Sequence, residues 1–78
     1  MTRTFLDEDL VEWEAYVSGG QPDTPHASRI FFVCREDPFR RPRWVPHASR
    51  DVAATERELQ GMDERTLLKL LADAQALA

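Results

Sequence analysis

Residues 29–35 read Arg-Ile-Phe-Phe-Val-Cys-Arg, a run of five apolar side chains bounded by two arginines. A strand with one face in water alternates apolar and polar side chains, whereas an unbroken apolar run is typical of a strand that is buried on both faces. We therefore predict that residues 29–35 form the central strand of a β-sheet.

The segment before this run has the pattern of a half-buried strand. Over residues 10–17, the side chains of Val11, Trp13, Ala15 and Val17 fall on one face, with more hydrophilic side chains between them. This period of two predicts a strand that has one face toward the core and the other toward solvent.

Two further segments have strand character. Residues 42–47 carry Trp44 between two prolines, Pro42 and Pro46. Because proline has no N–H to donate to a neighbouring strand, we expect this segment at an edge of the sheet. Residues 2–6 form a short extended segment that is a candidate for a fourth strand.

The second half of the chain has helical character, since it is rich in Ala, Leu, Glu and Arg. We predict a first helix over residues 50–60, with Ser49 as its N-cap and Gly61 ending it in the left-handed conformation. A second helix is predicted over residues 64–77, where leucines recur at helical spacing behind an N-terminal aspartate cap.

Together these elements predict an α+β fold, in which an antiparallel three- to four-stranded β-meander is followed by two C-terminal α-helices packed on one sheet face. The central strand places Phe31 and Val33 on one face and three apolar side chains on the other. Two short helices can cover only one face, so the other face needs a different cover. The N-terminal segment around Phe5 could supply it, and so could a second protein chain.

The composition indicates a single small folded domain over residues 1–78, because 42% of the residues are hydrophobic. A chain of this length buries only about 60% of its unfolded surface, so a partner often stabilises such a domain. Cys34 is the only cysteine, which excludes an internal disulfide and suits a reducing compartment. Without a signal-peptide or membrane-span pattern, we expect a cytoplasmic protein that does not bind membranes.

Few residues could carry chemistry. Cys34 could pair with a histidine as an activated thiolate, but it ends the apolar run and is expected to be a buried core residue. His26 and His47 lack the paired spacing with Cys34 that a zinc site needs. We therefore predict no catalytic residue, no metal site and no cofactor, and we expect that the chain is not an enzyme.

A basic stretch with an aromatic neighbour suggests one alternative. Arg40, Arg41 and Arg43 precede Trp44, and arginines with aromatic side chains can hold single-stranded nucleic acid through phosphate contacts and base stacking. The chain as a whole has a net charge of −4 and a pI near 5.0, whereas nucleic-acid-binding domains usually carry a basic surplus. We therefore do not expect nucleic acid to be the partner.

The function that we predict is a small non-catalytic protein-interaction module or a homodimer, because the central strand has more apolar surface than two helices can bury. The sequence does not indicate the biological process. The alternatives are a nucleic-acid-binding module that uses the arginine-rich strand and an accessory subunit of a larger enzyme. The predicted partner-binding residues are Phe31, Val33, Arg40, Arg41, Arg43 and Trp44.

Overall fold

The structure is a computed structural model that describes residues 2–18, 28–37, 39–47 and 51–76. Its strands form one antiparallel sheet in which the spatial order follows the chain order. This confirms the predicted α+β fold with a meander followed by two helices. The elements are β1 (Thr2–Leu6), β2 (Glu12–Ser18), β3 (Arg29–Cys34), β4 (Arg43–Pro46), α1 (Val52–Gly61), α2 (Glu64–Asp73) and β5 (Gln75–Ala76).

The predicted central strand is β3, which lies between β2 and β4 in the sheet. Strand β2 begins at Glu12 and not at Leu10, because Leu10 adopts a φ of 63° in the turn between β1 and β2. That turn is closed by backbone hydrogen bonds from Leu10 N–H to Asp7 C=O and from Asp7 N–H to Val11 C=O, each with an N···O distance of 3.0 Å.

The second helix is shorter than predicted, and this prediction was wrong at its C-terminal end. Helix α2 stops at Asp73, and Gln75–Ala76 form strand β5 instead of continuing the helix to residue 77. Strand β5 pairs with Arg43 and Trp44 of β4. The pairing satisfies backbone groups that would otherwise stay open along the edge of the sheet.

The predicted edge position of β4 is therefore only partly right. Strand β5 lies beside Arg43 and Trp44, whereas Val45 and Pro46 have no partner in β5. Pro46 lies beyond the end of β5, so its missing N–H costs no hydrogen bond to that strand. Its other neighbour is Arg29 of β3.

Helix α1 differs from the prediction at both ends. It begins at Val52, and Asp51 is its N-cap, with a carboxylate oxygen 3.0 Å from the backbone nitrogen of Ala53. The predicted cap, Ser49, lies outside the described residues. Gly61 is the last helical residue and does not adopt the predicted left-handed conformation, since no glycine in the described ranges has a positive φ.

The chain leaves α1 through an extended Met62 and enters the next helix at once, which explains why a left-handed residue is not needed. Asp63 is the N-cap of α2, as expected, because its carboxylate accepts a hydrogen bond from Thr66 N–H with an N···O distance of 2.8 Å. The C-cap of α1, Met62, is therefore followed directly by the N-cap of α2, Asp63.

Both helices pack on one face of the sheet, which confirms that part of the prediction. The N-terminal strand does not cover the opposite face, because Phe5 points into the same core as the helices and Leu6 is 47% exposed. The buried core residues are Phe5, Trp13, Ala15, Ile30, Phe32, Cys34, Val45, Leu59, Leu67 and Leu71.

Candidate functional site

The surface with the clearest functional character is the sheet face opposite the helices, which we call the open face. Strand alternation places Phe31 and Val33 on it, because their neighbours Ile30 and Phe32 point into the core. Phe31 and Val33 are only half-buried. Within the described parts of the chain, no element lies over this side of the sheet.

Three aromatic side chains line up across the open face, and we call them the aromatic row: Tyr16, Phe31 and Trp44. Tyr16 of β2 lies opposite Phe31 of β3, and Phe31 lies opposite Trp44 of β4. The Tyr16 and Phe31 rings stack with their centroids 5.4 Å apart and their planes 15° apart. Such cross-strand aromatic pairs stabilise a sheet and also offer flat surface to a partner.

An arginine extends the aromatic row at one end of the open face. The guanidinium carbon of Arg29 lies 4.7 Å from the centroid of the Trp44 ring, which is within the range of a cation–π interaction. The contact holds a positive charge beside the largest ring of the aromatic row. Arginine and aromatic side chains together are the residue types enriched at the centres of protein interfaces.

The other end of the open face carries charges of both signs. Glu12 and Glu14 point to this face because Trp13 between them is buried. A carboxylate oxygen of Glu14 is 3.5 Å from a guanidinium nitrogen of Arg35, a solvent-screened pair of small energetic value. Among the described residues, the charge of the open face is thus balanced, with an arginine at one end and a glutamate excess at the other.

The predicted partner-binding residues separate into two groups. Phe31, Val33 and Trp44 come together on the open face. Arg43 points to the opposite face, where a guanidinium nitrogen donates to the Leu71 carbonyl of α2 over 3.4 Å. Strand alternation explains this, since neighbours in a strand face opposite sides.

Arg40 and Arg41 also lie apart from the aromatic row. Arg40 lies in the connection from β3 to β4, with its guanidinium 5.8 Å from the centroid of the core residue Trp13, and its Nε is 3.9 Å from an Asp37 carboxylate oxygen. Arg41 is exposed in the same connection. The predicted arginine-rich strand is therefore not one continuous basic surface.

The sequence prediction did not include Tyr16 and Arg29 among the partner-binding residues. The alternation in β2 already places Tyr16 on the solvent side, but only the register of β2 against β3 brings it beside Phe31. Arg29 was a boundary of the apolar run, and its contact with Trp44 depends on the pairing of β3 with β4.

A cleft of about 220 Å³ lies on the helix side of the molecule. It is smaller than the roughly 300–1,000 Å³ of ordinary small-molecule sites. One of the carboxylates that line the cleft, Asp7, stabilises the turn between β1 and β2 through hydrogen bonds. The lining residues are Asp7, Glu8, Asp9, Arg43, Leu68, Leu71 and Ala72.

The carboxylate of Asp7 accepts three hydrogen bonds: from the Trp13 indole N–H at 2.9 Å, from Val11 N–H at 2.9 Å and from Asp9 N–H at 2.8 Å. These bonds hold the pKa of Asp7 below its ordinary value, with the indole contributing most and the charge of Arg40 adding a little. A carboxylate held in this way is a structural group, not a proton acceptor for catalysis.

The residues weighed for chemistry are placed differently from one another. Cys34 is buried in the core, with 5% of its surface exposed. His47 contacts Glu58 through Nε2, and its Nδ1 is 3.4 Å from the Thr55 hydroxyl oxygen. Thr55 is fully buried and its hydroxyl donates to the Asp51 carbonyl over 3.1 Å, so this hydroxyl–imidazole–carboxylate chain has no nucleophile that a substrate could reach.

Cys34, His26 and His47 are the side chains other than carboxylates that could bind a metal ion, and His26 lies outside the described residues. Among the residues that the structure does describe, no group of three or more His, Cys, Asp and Glu side chains is arranged to hold a metal ion.

Comparisons of this chain with protein-family models, with curated proteins and with solved structures find no match. In the described ranges, neither helix has the length and apolar character needed to cross a membrane. The function must therefore be argued from the open face and its residues.

Proposed function

We propose that this chain is a non-catalytic protein-interaction module whose docking surface is the open face. The observation that carries the proposal is the aromatic row of Tyr16, Phe31 and Trp44 on a sheet face with no covering element in the described chain. An apolar patch with a polar rim is typical of a protein-binding surface.

The composition of the open face supports a protein partner. Aromatic side chains and arginine carry most of the binding energy at protein interfaces, and the aromatic ones bury a large area for few rotatable bonds. Here Trp44 is held by Arg29 and Phe31 by Tyr16, so a partner would meet side chains that are already ordered. Preorganised side chains lose little entropy on binding.

Nucleic-acid binding is the second candidate, because stacked aromatic side chains on a sheet face can also hold unpaired bases. Two observations make it the weaker one. Glu12 and Glu14 cancel the charges of Arg29 and Arg35 on the open face, and the chain carries a net charge of −4. Phosphate contacts require a positive surplus.

A role as accessory subunit of a larger enzyme is one form of the same proposal, with the enzyme as the partner. The cytoplasm is the proposed location, since the single thiol of Cys34 is free and buried, and a free thiol persists in a reducing compartment.

Site-specific photo-crosslinking in living cells tests the proposal. A benzophenone amino acid replaces Tyr16 in one variant and Lys69, exposed on α2, in a control variant. We expect protein adducts from position 16 and none, or far fewer, from position 69. Equal labelling at the two positions, or no protein adduct from position 16, would refute the open face as the docking surface, and a nuclease-sensitive adduct would favour the second candidate.

A further inference from the structure

We propose that the partner of the open face is a second copy of this chain, packed face to face with its strands antiparallel about a two-fold axis. This inference rests on the proposed function and names the occupant of the same surface. The charges of the open face suggest this occupant, because the positive end of one copy can lie against the negative end of another.

The charge arrangement follows the rows of residues that the register defines. The row with Arg29 lies on one side of the aromatic row, and the row with Glu14 and Val33 lies on the other. Beyond Glu14 come Glu12 and Arg35. One end of the open face is therefore positive and the other has a glutamate excess.

A two-fold axis that runs along the aromatic row, across the strands, reverses the strand direction of one copy. Adjacent rows on one face are about 6.7 Å apart, so Arg29 and Glu14 each lie one row from this axis on opposite sides. The rotation places Arg29 of each copy over Val33 of the other, one strand away from Glu14 in the same row. To form the ion pair, the Arg29 guanidinium turns from Trp44 toward this glutamate. Such an interface is isologous and forms two equivalent ion pairs.

The other simple arrangement is disfavoured by the same charges. An axis parallel to the strands stacks each row on its own copy, so the two Arg29 side chains share one row and the two Glu14 side chains share another. Like charges facing each other across an interface disfavour association. The charges of the open face thus favour the antiparallel orientation of two copies. Because these charges balance, the face gives no advantage to a polyanion or a polycation.

The size of the open face sets the strength of the association. Four strands about 4.8 Å apart and four rows about 6.7 Å apart give a patch of roughly 19 Å by 27 Å, or about 500 Å² of flat surface per copy. A standard stable interface buries about 800 Å² per partner. We therefore infer a reversible dimer rather than an obligate one.

Two charge-reversal variants test both the partner and the orientation. In the homodimer of Arg29→Glu, each ion pair becomes a pair of carboxylates, and in that of Glu14→Arg it becomes a pair of guanidiniums. When the two variants are mixed, every Arg29–Glu14 site again joins opposite charges. We expect the mixture to associate at least about tenfold more tightly than either variant alone, a difference of about 1.4 kcal/mol.

The measurement is sedimentation velocity from micromolar to millimolar chain concentration, with circular dichroism to confirm that each variant folds. A wild-type chain that dimerises while the mixture stays monomeric would overturn the antiparallel arrangement. A matched apolar pair gives a test free of charge changes: Phe31→Ser should weaken the dimer at least about tenfold, and Phe39→Ser, at a side chain that is 93% exposed in the connection from β3 to β4, should not.

A wild-type chain that remains monomeric at every concentration would overturn the inference. The proposed function would then be decided separately by the crosslinking experiment. An adduct from position 16 with twice the mass of the chain supports self-association. An adduct with a different protein refutes self-association and leaves the docking surface in place.

Discussion

The turn between β1 and β2 depends on one carboxylate, and replacing Asp7 by alanine should destabilise the domain strongly. The substitution leaves the indole N–H of Trp13 without its acceptor, and Trp13 is only 1% exposed. An unpaired buried donor costs about 1–3 kcal/mol. The backbone N–H groups of Asp9 and Val11 also lose their acceptor, which adds about 0.5–2 kcal/mol by analogy with a lost helix cap.

Because Asp7 is half-exposed, water replaces part of what is lost, and we expect a decrease of about 2 kcal/mol in the free energy of unfolding. That is a large share of the roughly 4–12 kcal/mol expected for a domain of this length. It corresponds to a fall in Tm of roughly 8–16 °C.

Urea unfolding followed by tryptophan fluorescence measures this effect. The matched control is Asp9→Ala in the same turn, because Asp9 contributes only its backbone N–H to the Asp7 carboxylate. The control should change stability by less than about 0.5 kcal/mol. An Asp7→Ala variant as stable as the wild type, or an equal loss in the control, would show that the carboxylate does not hold the turn.

The same carboxylate makes stability depend on pH. The pKa of Asp7 in the folded protein lies below its ordinary value of 3.8, so its contribution is fully present above that value and is lost as the pH falls through the lower, folded-state pKa. The difference in unfolding free energy between wild type and Asp7→Ala should therefore be constant near neutral pH and shrink in acid. A difference that grows in acid would contradict the assignment.

Three further predictions follow from the helices and the core. Leu67→Ala, at a fully buried position, should lower the unfolding free energy by about 2–5 kcal/mol, while Lys69→Ala on the exposed side of the same helix should have little effect in the same urea titration. Asp63→Ala removes the N-cap of α2 and should lower the free energy of unfolding, whereas Asp73→Ala at the other end should be neutral or slightly stabilising. A larger loss at position 73 than at position 63 would contradict the cap. The thiol of Cys34 should react with a coloured disulfide reagent only at the rate of unfolding, and immediate reaction in native buffer would show that it is not buried.

The parts of the fold that the sequence predicts are those governed by local patterns. Alternation around Trp13 indicates which face of β2 is buried, and the apolar run indicates that β3 is central. Asp63 caps α2 by accepting a hydrogen bond from Thr66, only three residues away, so its role can also be predicted from the sequence. Strand β5 could not be predicted, because its two residues pair with β4 only when the whole sheet is assembled.

The candidate site was only partly predictable for a related reason. Phe31 and Val33 share a face because they are two residues apart, and Trp44 joins them through the register of β4 against β3. Arg43 was grouped with Trp44 because the two are adjacent in the chain, although adjacency in a strand places them on opposite faces. Applying the alternation to the basic stretch would have separated Arg43 from the aromatic side chains.

The most direct test of the claim that the open face binds a second copy of this chain is an NMR dilution series of the wild-type chain that follows its two indole N–H signals. The account predicts that the Trp44 signal moves with concentration, because Trp44 lies in the aromatic row. The Trp13 signal should stay fixed, because its N–H is bound to Asp7 on the opposite side of the sheet. A stationary Trp44 signal, or concentration-dependent shifts confined to α1 and α2, would contradict self-association through the open face.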